Sequence, residues 1–267
     1  MKSFGVKKQR VNKDLYDFFK EELEIKGFTI IKNVLNSKQI DFYRKKIDEL
    51  YLIQINEVGI DNLKKINELD LVRLPLAYDL SFLDLIFNKE IVNLMDFLLG
   101  EYYIVNLQNA IINRPGVGHH QNSWHRDLPY QDFVSSIPLA LNVMFCIDPF
   151  NSLTGGTILL PHSHKLDVMP SVEFISKNQY QVNLDEGDVI IFDSMIFHSA
   201  GYNSSDLVRR GVNNMYSLPF LKQQFDIPNM IDNNLITDLK QMKILGIENK
   251  LFNSIKKWRE FKIKLKK

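Results

Sequence analysis

The residues whose types and spacing can do chemistry are concentrated in Ser123-Trp124-His125-Arg126-Asp127. His125 and Asp127 stand two positions apart, so on an extended segment both side chains leave the same face. Together an imidazole and a carboxylate offer one nitrogen and one oxygen to a divalent metal. His198, in Phe197-His198-Ser199-Ala200-Gly201, is available as a third ligand. Two histidines and a carboxylate on one face of an ion, with the opposite positions open, is the arrangement of non-haem Fe(II) oxygenases. Arg209 follows His198 by eleven residues and can hold a carboxylate-bearing cosubstrate. Its planar guanidinium fork matches a carboxylate through two hydrogen bonds.

A histidine two residues from an aspartate is common for ordinary hydrogen-bonding reasons, so the pair gains its weight from its setting. Pro115-Gly116-Val117-Gly118 puts it just past a turn, where a site can open to substrate. His198 follows the strand-like Asp188-Val189-Ile190-Ile191-Phe192, and Arg209 falls on the next strand. Arg210 is the rival anchor, and alternation lets only one of the two arginines point inward. His162 and His164 form a rival metal pair that, with His198, would make a cupin-type metal enzyme. His119 and His120 can line the entrance, with exposed loop histidines as the plainer reading. Trp124 either lines a pocket or packs as an aromatic. Arg73, Arg126 and Tyr130 are candidates for a polar or anionic substrate, with surface pairing as the plainer reading.

The scaffold follows from periodicity and turn chemistry. Apolar Leu15, Phe18, Phe19 and Leu23 predict a helix over 14–24 that Gly27 ends, and 28–34 reads as a strand. Asn36 with Gln39 has the form of a capping box and predicts a helix from Ser37 to about Ile53, with Ile40, Ile47 and Leu50 inward. Residues 56–78 read as a helix followed by a loop, and 81–99 as a helix stopped by Gly100. Beyond Gly100, short β-rich runs appear at 102–107, 110–113, 139–147, 157–160, 181–184, 189–192 and 211–218, separated by Gly, Pro and Asp turns. Many short strands punctuated in this way predict a sandwich or jelly roll. The tail returns to helical spacing and ends in a Lys-rich stretch, read as a solvated helix face.

Composition excludes several classes. The net charge of +1 favours neither nucleic acid nor an anionic membrane. No stretch of about 18 apolar residues predicts a membrane span, and no signal-like segment opens the chain, so a cytoplasmic protein is expected. Cys146 is the only cysteine, which excludes an internal disulfide and a multi-Cys zinc site; it sits in an apolar run as a small hydrophobe. No repeat or linker marks a boundary, so 1–267 is expected to form a single domain: a helical front over about 1–100, a β core over about 101–220 and a helical tail over about 221–267.

Taken in order, these pieces resemble the phytanoyl-CoA dioxygenase family of Fe(II)- and 2-oxoglutarate-dependent oxygenases. The resemblance is carried by Ser123-Trp124-His125-Arg126-Asp127, by Gly155-Gly156-Thr157 through Ser163-His164, by Gly187-Asp188, and by His198-Ser199-Ala200 through Asn203 to Arg209. Gly27 to Leu35 resembles the family's N-terminal strand, so the similarity spans about 27–220. It implies a double-stranded β-helix (jelly-roll, cupin-like) core with N- and C-terminal helices outside. It implies His125, Asp127 and His198 as iron ligands, and Arg209 as the anchor of 2-oxoglutarate. Gln108, Asn142 and Thr157 become candidates for further cosubstrate contacts, although a polar strand residue facing solvent is the plainer reading. The segment Pro161-His162-Ser163-His164 departs from the family's Pro-Gly-Ser-His at His162, on a turn outside the iron shell. The activity implied uses O2 to hydroxylate an unactivated C–H bond of a small-molecule metabolite, with release of succinate and CO2. The carboxylate of Asp127 argues against halide transfer, for which relatives keep a small residue at that place. The alternative from another class is a β-helix binding protein without catalysis, which would be marked by a missing ligand or arginine.

Overall fold

The computed structural model describes residues 4–6, 8–128, 133–232, 235–249 and 251–264. Tyr130, one of the candidates for substrate contact, lies outside the described residues. Helix α1 (Leu15–Lys26) begins where the Asp14 side chain accepts from Asp17 N–H and ends at Gly27, φ 90°. β1 (Phe28–Ile31) follows. Asn36 and Gln39 do form a reciprocal capping box at the start of α2 (Ser37–Val58), which buries Ile40, Tyr43, Ile47, Leu50 and Tyr51. This helix runs past the expected end at Ile53, and Gly59 separates it from the short α3 (Ile60–Lys65).

Two other sequence expectations change here. Within 56–78, read as helix and loop, lies β2 (Leu71–Arg73); three residues are too few to announce a strand, and pairing with a longer neighbour makes it one. The helix expected over 81–99 is broken. α4 (Leu83–Ile86) stops at Phe87, and the Asn88 side chain caps α5 (Lys89–Leu99) by accepting from Glu90 and Ile91 N–H.

The β core comprises β3 (Ile104–Asn113), β4 (Ala140–Cys146), β5 (Ile158–Leu159), β6 (Tyr180–Gln181), β7 (Val189–Asp193), β8 (His198–Ser199) and β9 (Arg209–Ser217). Helix α6 (Val172–Asn178) interrupts it between β5 and β6, and α7 (Ile227–Met230), α8 (Leu239–Ile244) and α9 (Ile255–Lys264) follow. The runs at 102–107 and 110–113 are one strand, irregular between Val105 and Leu107. The larger sheet has the order β1-β7-β4-β9-β3-β2, and the smaller β6-β5-β8. Single bridges His125↔His198 and Phe150↔Leu184 extend the smaller sheet. This is a double-stranded β-helix core with flanking helices. The front half does more than pack outside it, because β1 and β2 form the two edges of the larger sheet.

Strand alternation divides the core. Val143 and Phe145 of β4 join the cluster that includes Ile47 and Leu50 of α2 and Ile91 and Met95 of α5. Met144 and Cys146, facing the other way, pack with Phe150, Leu159, Ile190 and Phe192 between the sheets. Arg210 ties the helical layer to the sheet: Nε and Nη2 donate to Asp48 of α2 (2.8 and 2.9 Å), and Nη1 to Asp148 (2.9 Å). In α9, by contrast, none of the residues is buried, in keeping with a solvated tail. Among the described residues no helix is long and apolar enough to cross a membrane. Ile47 is fully buried in the helix–sheet cluster. Ile47→Ala is therefore expected to lower stability by about 2–5 kcal/mol, read as a lower urea midpoint at unchanged denaturant slope.

Candidate active site

The candidate metal ligands meet because two distant segments pair through their backbones. His125 N–H donates to His198 C=O (2.9 Å), and His198 N–H to His125 C=O (3.0 Å). That reciprocal pair sets the two rings 4.3 Å apart. Asp127 N–H donates to Ser194 C=O (3.1 Å), which returns the segment toward the same turn. The Asp127 carboxylate oxygen then lies 3.6 Å from Nε2 of each histidine. Ligand bonds of about 2.1 Å span atoms up to about 4.2 Å apart, so one ion can take all three. Among the described residues this is the one such cluster of His, Cys, Asp or Glu.

The histidine nitrogens are sorted for that task. Nδ1 of His125 lies 2.8 Å from Ser123 C=O, and Nδ1 of His198 lies 3.0 Å from Ile196 C=O. A carbonyl accepts only, so each Nδ1 carries the proton and each Nε2 keeps its lone pair toward Asp127. Burial lowers the pKa of His198, against the raising effect of Asp127, and so favours the neutral, ligating form. The turn beneath is built by Asp193, whose Oδ1 accepts from Met195 N–H (2.9 Å), and by Ser194, whose Oγ accepts from Asn142 Nδ2 (2.9 Å). Sequence reasoning passed over Asp193 and Ser194, although an aspartate closing an apolar strand is a turn signal.

Arg209 and Arg210 divide as alternation requires. Arg210 takes the helix side, and Arg209 lines the same cavity as the three ligands, with 2% of its surface exposed. Its Nη2 donates to Gly155 C=O (2.7 Å), its guanidinium lies 4.3 Å from the Phe150 ring centre, and its Nε has no partner. Burial pushes its pKa down to about 10, so it is charged at neutral pH. No carboxylate of the described residues forms an ion pair with it, and a buried cation in that state is costly unless an anion arrives. The carbonyl it meets is set by close backbone packing. A Cβ on Gly155, which has φ 73°, would fall 2.5 Å from Gly201 C=O and 2.7 Å from Asn113 Nδ2. The cavity, about 190 Å³, thus joins an acceptor-rich cluster suited to a divalent ion with a buried cation suited to a carboxylate.

The remaining candidates are distributed differently from expectation. Thr157 lines the cavity. Gln108 does not: alternation turns it to the helix side, where Oε1 accepts from Leu76 N–H and Nε2 donates to Phe82 C=O and Asn214 Oδ1. Its neighbour Asn109 takes the cavity position. Asn142 is on the cavity-side face of β4 but does not line the cavity; its Oδ1 accepts from Nδ2 of Asn213 (3.0 Å), which does. Arg126 is buried and structural, stacked 3.9 Å over Phe197 and donating to Ser163 and Leu166 C=O. Trp124 packs on the cluster of Leu160, Ile175 and Phe197.

The cupin-type alternative is corrected. His162 Nδ1 lies 2.6 Å from Ile25 C=O, and His164 Nε2 lies 3.2 Å from Glu24 C=O, so both rings serve the end of α1. Burial pushes His164 down to about 4. His119 is buried rather than an exposed loop residue, accepts from Gln121 N–H, and is pushed down to about 3 by burial. Arg73, Asn109, Asn213 and Gln121 line the cavity as well. Of these, Arg73 alone was singled out from the sequence, because the facing of the amides depends on strand register.

Fold and site together define a double-stranded β-helix protein with a His-Asp-His cluster and a buried arginine in one cavity. The chain belongs to the phytanoyl-CoA dioxygenase (PhyH) family, which matches residues 23–211. It is 29% identical over 247 residues to the uncharacterized protein Rv1501 of Mycobacterium tuberculosis, covering 88% of each chain. It is 27% identical over 250 residues to the dioxygenase olcK of Penicillium canescens, covering 87% of this chain and 80% of that one. Among solved structures it is similar to the epimerase SnoN in complex with Fe3+, alpha ketoglutarate and nogalamycin RO, with TM-score 0.60 and 16% identity over 76% of this chain and 84% of that one. It is also similar to AviO1 of Streptomyces viridochromogenes Tue57, with TM-score 0.59 and 19% identity over 79% of this chain and 97% of that one. Both structural likenesses bear on the fold.

Asp193 gives this site a pH dependence. Burial pushes its pKa from 3.8 up to about 6, against the lowering effect of the Met195 N–H. The fold favours the protonated acid, so this contribution is whole below about pH 3.8 and is lost as pH rises through about 6. Asp193→Asn keeps the acceptor and removes the charge. Its stability relative to the wild type is expected to rise by roughly 2 kcal/mol between pH 4 and pH 7, measured by urea unfolding at both.

Proposed function

We propose that the chain works as one Fe(II)- and 2-oxoglutarate-dependent dioxygenase domain that hydroxylates an unactivated C–H bond of a small-molecule metabolite. The observation that carries this reading is the buried Arg209 cation, unpaired with any described carboxylate, in the cavity that His125, Asp127 and His198 share. His125 and His198 would hold iron through Nε2, and Asp127 through its carboxylate. Arg209 would take the distal carboxylate of 2-oxoglutarate. When bound, iron and 2-oxoglutarate would activate O2 for C–H hydroxylation, with one oxygen atom entering the substrate and the other the succinate that leaves with CO2.

The chain's own residues supply position and a dry setting. The carbonyls of Ser123 and Ile196 keep the histidine protons on Nδ1, away from the metal side. Phe150 and Gly155 hold the Arg209 guanidinium from face and edge, so little freedom is lost when a carboxylate binds. Leu107, Ile111, Met144 and Phe192 give the cavity apolar walls that exclude water from the reacting carbon. Thr157, on the smaller sheet, is a further candidate for contact with the cosubstrate. The alternative of a β-helix that binds without catalysis loses support, since all three ligands and the arginine are present.

The test needs no substrate. Fe(II) and 2-oxoglutarate added to the full chain without oxygen should produce the visible charge-transfer band of chelated 2-oxoglutarate. His125→Ala should abolish the band, and His162→Ala should leave it unchanged. Arg209→Ala should need about 100-fold more 2-oxoglutarate, in line with a cost of about 2–5 kcal/mol for removing one partner of a buried charge pair. Tight iron binding without a band would overturn the reading in favour of a non-catalytic role.

A further inference from the structure

About four residues along the strands from Arg209, the cavity wall carries a second polar row. Arg73 of β2, Asn109 of β3 and Asn213 of β9 are successive register partners, and the row continues to Met144 of β4. Opposed residues of antiparallel strands place their side chains on one face, about 5 Å apart, so the three polar groups form a line about 10 Å long. All three line the cavity that holds the candidate iron ligands.

Both ends of the row are fixed by other side chains. Gln54, buried in α2, grips the Arg73 backbone from both sides: Nε2 donates to its C=O (2.7 Å) and Oε1 accepts from its N–H (2.9 Å). Glu68 Oε1 accepts from Arg73 Nε (3.1 Å) and Nη2 (2.5 Å). That leaves Nη1 on the side of Asn109, whose Oδ1, with the amide turned to face the arginine, accepts from it at 3.1 Å. A guanidinium locked through its backbone and one edge, with the other edge at a cavity, is prepared for an oxyanion. At the far end, Asn213 Nδ2 donates to Asn142 Oδ1, and Asn142 Nδ2 donates to Ser194 Oγ. This relay commits the Asn213 amide hydrogen and leaves its Oδ1 buried with no partner. A buried acceptor in that state calls for a donor. 2-Oxoglutarate, whose oxygens only accept, cannot provide one; a substrate hydroxyl or amine can.

We infer that the Arg73–Asn109–Asn213 row is the subsite for the primary substrate, a small polar molecule with an oxyanion held at Arg73 and a hydroxyl or amine hydrogen accepted by Asn213. The inference rests on the oxygenase reading, in which Arg209 is occupied by the cosubstrate. The cavity of about 190 Å³, below the roughly 300–1,000 Å³ of drug-sized sites, would hold iron and 2-oxoglutarate as well, which leaves room for a small substrate only.

The experiment measures succinate release by the full chain, supplied with Fe(II), 2-oxoglutarate and air, over matched probes. These are small hydroxy- and amino-carboxylic acids against their primary amides, and phosphate monoesters against the parent alcohols. Release should be stimulated by acids and not by their neutral partners, and the set that responds identifies the oxyanion as carboxylate or phosphate. Arg73→Gln should raise KM for the stimulating acid at least tenfold, with part restored in Arg73→Lys. Asn213→Leu should lower kcat/KM for that acid and leave its deoxy or deamino analogue unaffected. The anaerobic 2-oxoglutarate titration of the same variants should match the wild type within about twofold, which also shows that they are folded. Amides or alcohols that stimulate as well as their acids would overturn the inference. So would an unchanged KM in Arg73→Gln, or the absence of stimulation by every acid while the 2-oxoglutarate band forms. Absence of the band in the wild type would instead overturn the oxygenase reading itself.

Discussion

The pairing of His125 with His198 through two backbone hydrogen bonds is the constraint on which the site depends. β8 has only two residues, pairs with Leu159 on one side, and on the other is held by this single bridge. A reciprocal pair of this kind fixes two Cα atoms about 5.5 Å apart, a separation from which two imidazoles can reach one ion. Asp127, two residues beyond the bridge, follows because its own N–H is taken by Ser194 C=O. Side-chain hydrogen bonds then refine what the backbone has set. Each Nδ1 meets a carbonyl of its own segment, which turns each Nε2 toward the same point. Three candidate ligand atoms from two segments are thus brought together by backbone and side-chain hydrogen bonds.

Holding Arg209 in the same cavity works against folding. A guanidinium fully removed from water, with one carbonyl partner and an unpaired Nε, is a stored penalty that the rest of the molecule offsets. The offset comes from the opposite face of the larger sheet. There α2 and α5 bury a continuous apolar layer against β4, β7, β9 and β3, and Arg210 closes its edge with Asp48 and Asp148. Adjacent arginines therefore have opposite settings, one pairing with Asp48 and Asp148 at the helix–sheet contact and one buried at the cavity without a carboxylate partner among the described residues. The glycine packing at Gly155 and Gly201 serves the same end, since any Cβ at Gly155 would displace the carbonyl that orients Arg209.

The same alternation explains where reasoning from the sequence was accurate and where it was not. The caps of α1 and α2, the glycine stops and the apolar faces of the helices depend on residues within a few positions of one another, and they were legible. The geometry of His125 and Asp127 is equally local. Gln108 was chosen as a polar residue in an apolar strand, yet the residue of β3 that reaches the cavity wall there is its neighbour Asn109, whereas Asn142 shares the inner face of the sheet with Asn213 and is hydrogen-bonded to it. One position along a strand exchanges the faces, and nothing in a polar residue's type tells which face it takes. β2 and β8 escaped notice for a related reason. Runs of three and two residues have no periodicity of their own and exist as strands only through their partners.

By itself the sequence determined the kinds of ligand, the pairing of His125 with Asp127 on one face, the family, and an all-antiparallel core between helical ends. The resemblance already implied His198 and Arg209; tertiary structure brings both to one cavity with His125 and Asp127, and it alone decided which amides line that cavity. His162 and His164 are as well spaced for a metal as His125 and Asp127, and they are set aside only because their rings meet the carbonyls that end α1. Local hydrogen bonding and periodicity are written in neighbouring residues. Register is set by strands that pair across long stretches of chain, and the facing of every side chain in this cavity follows from register.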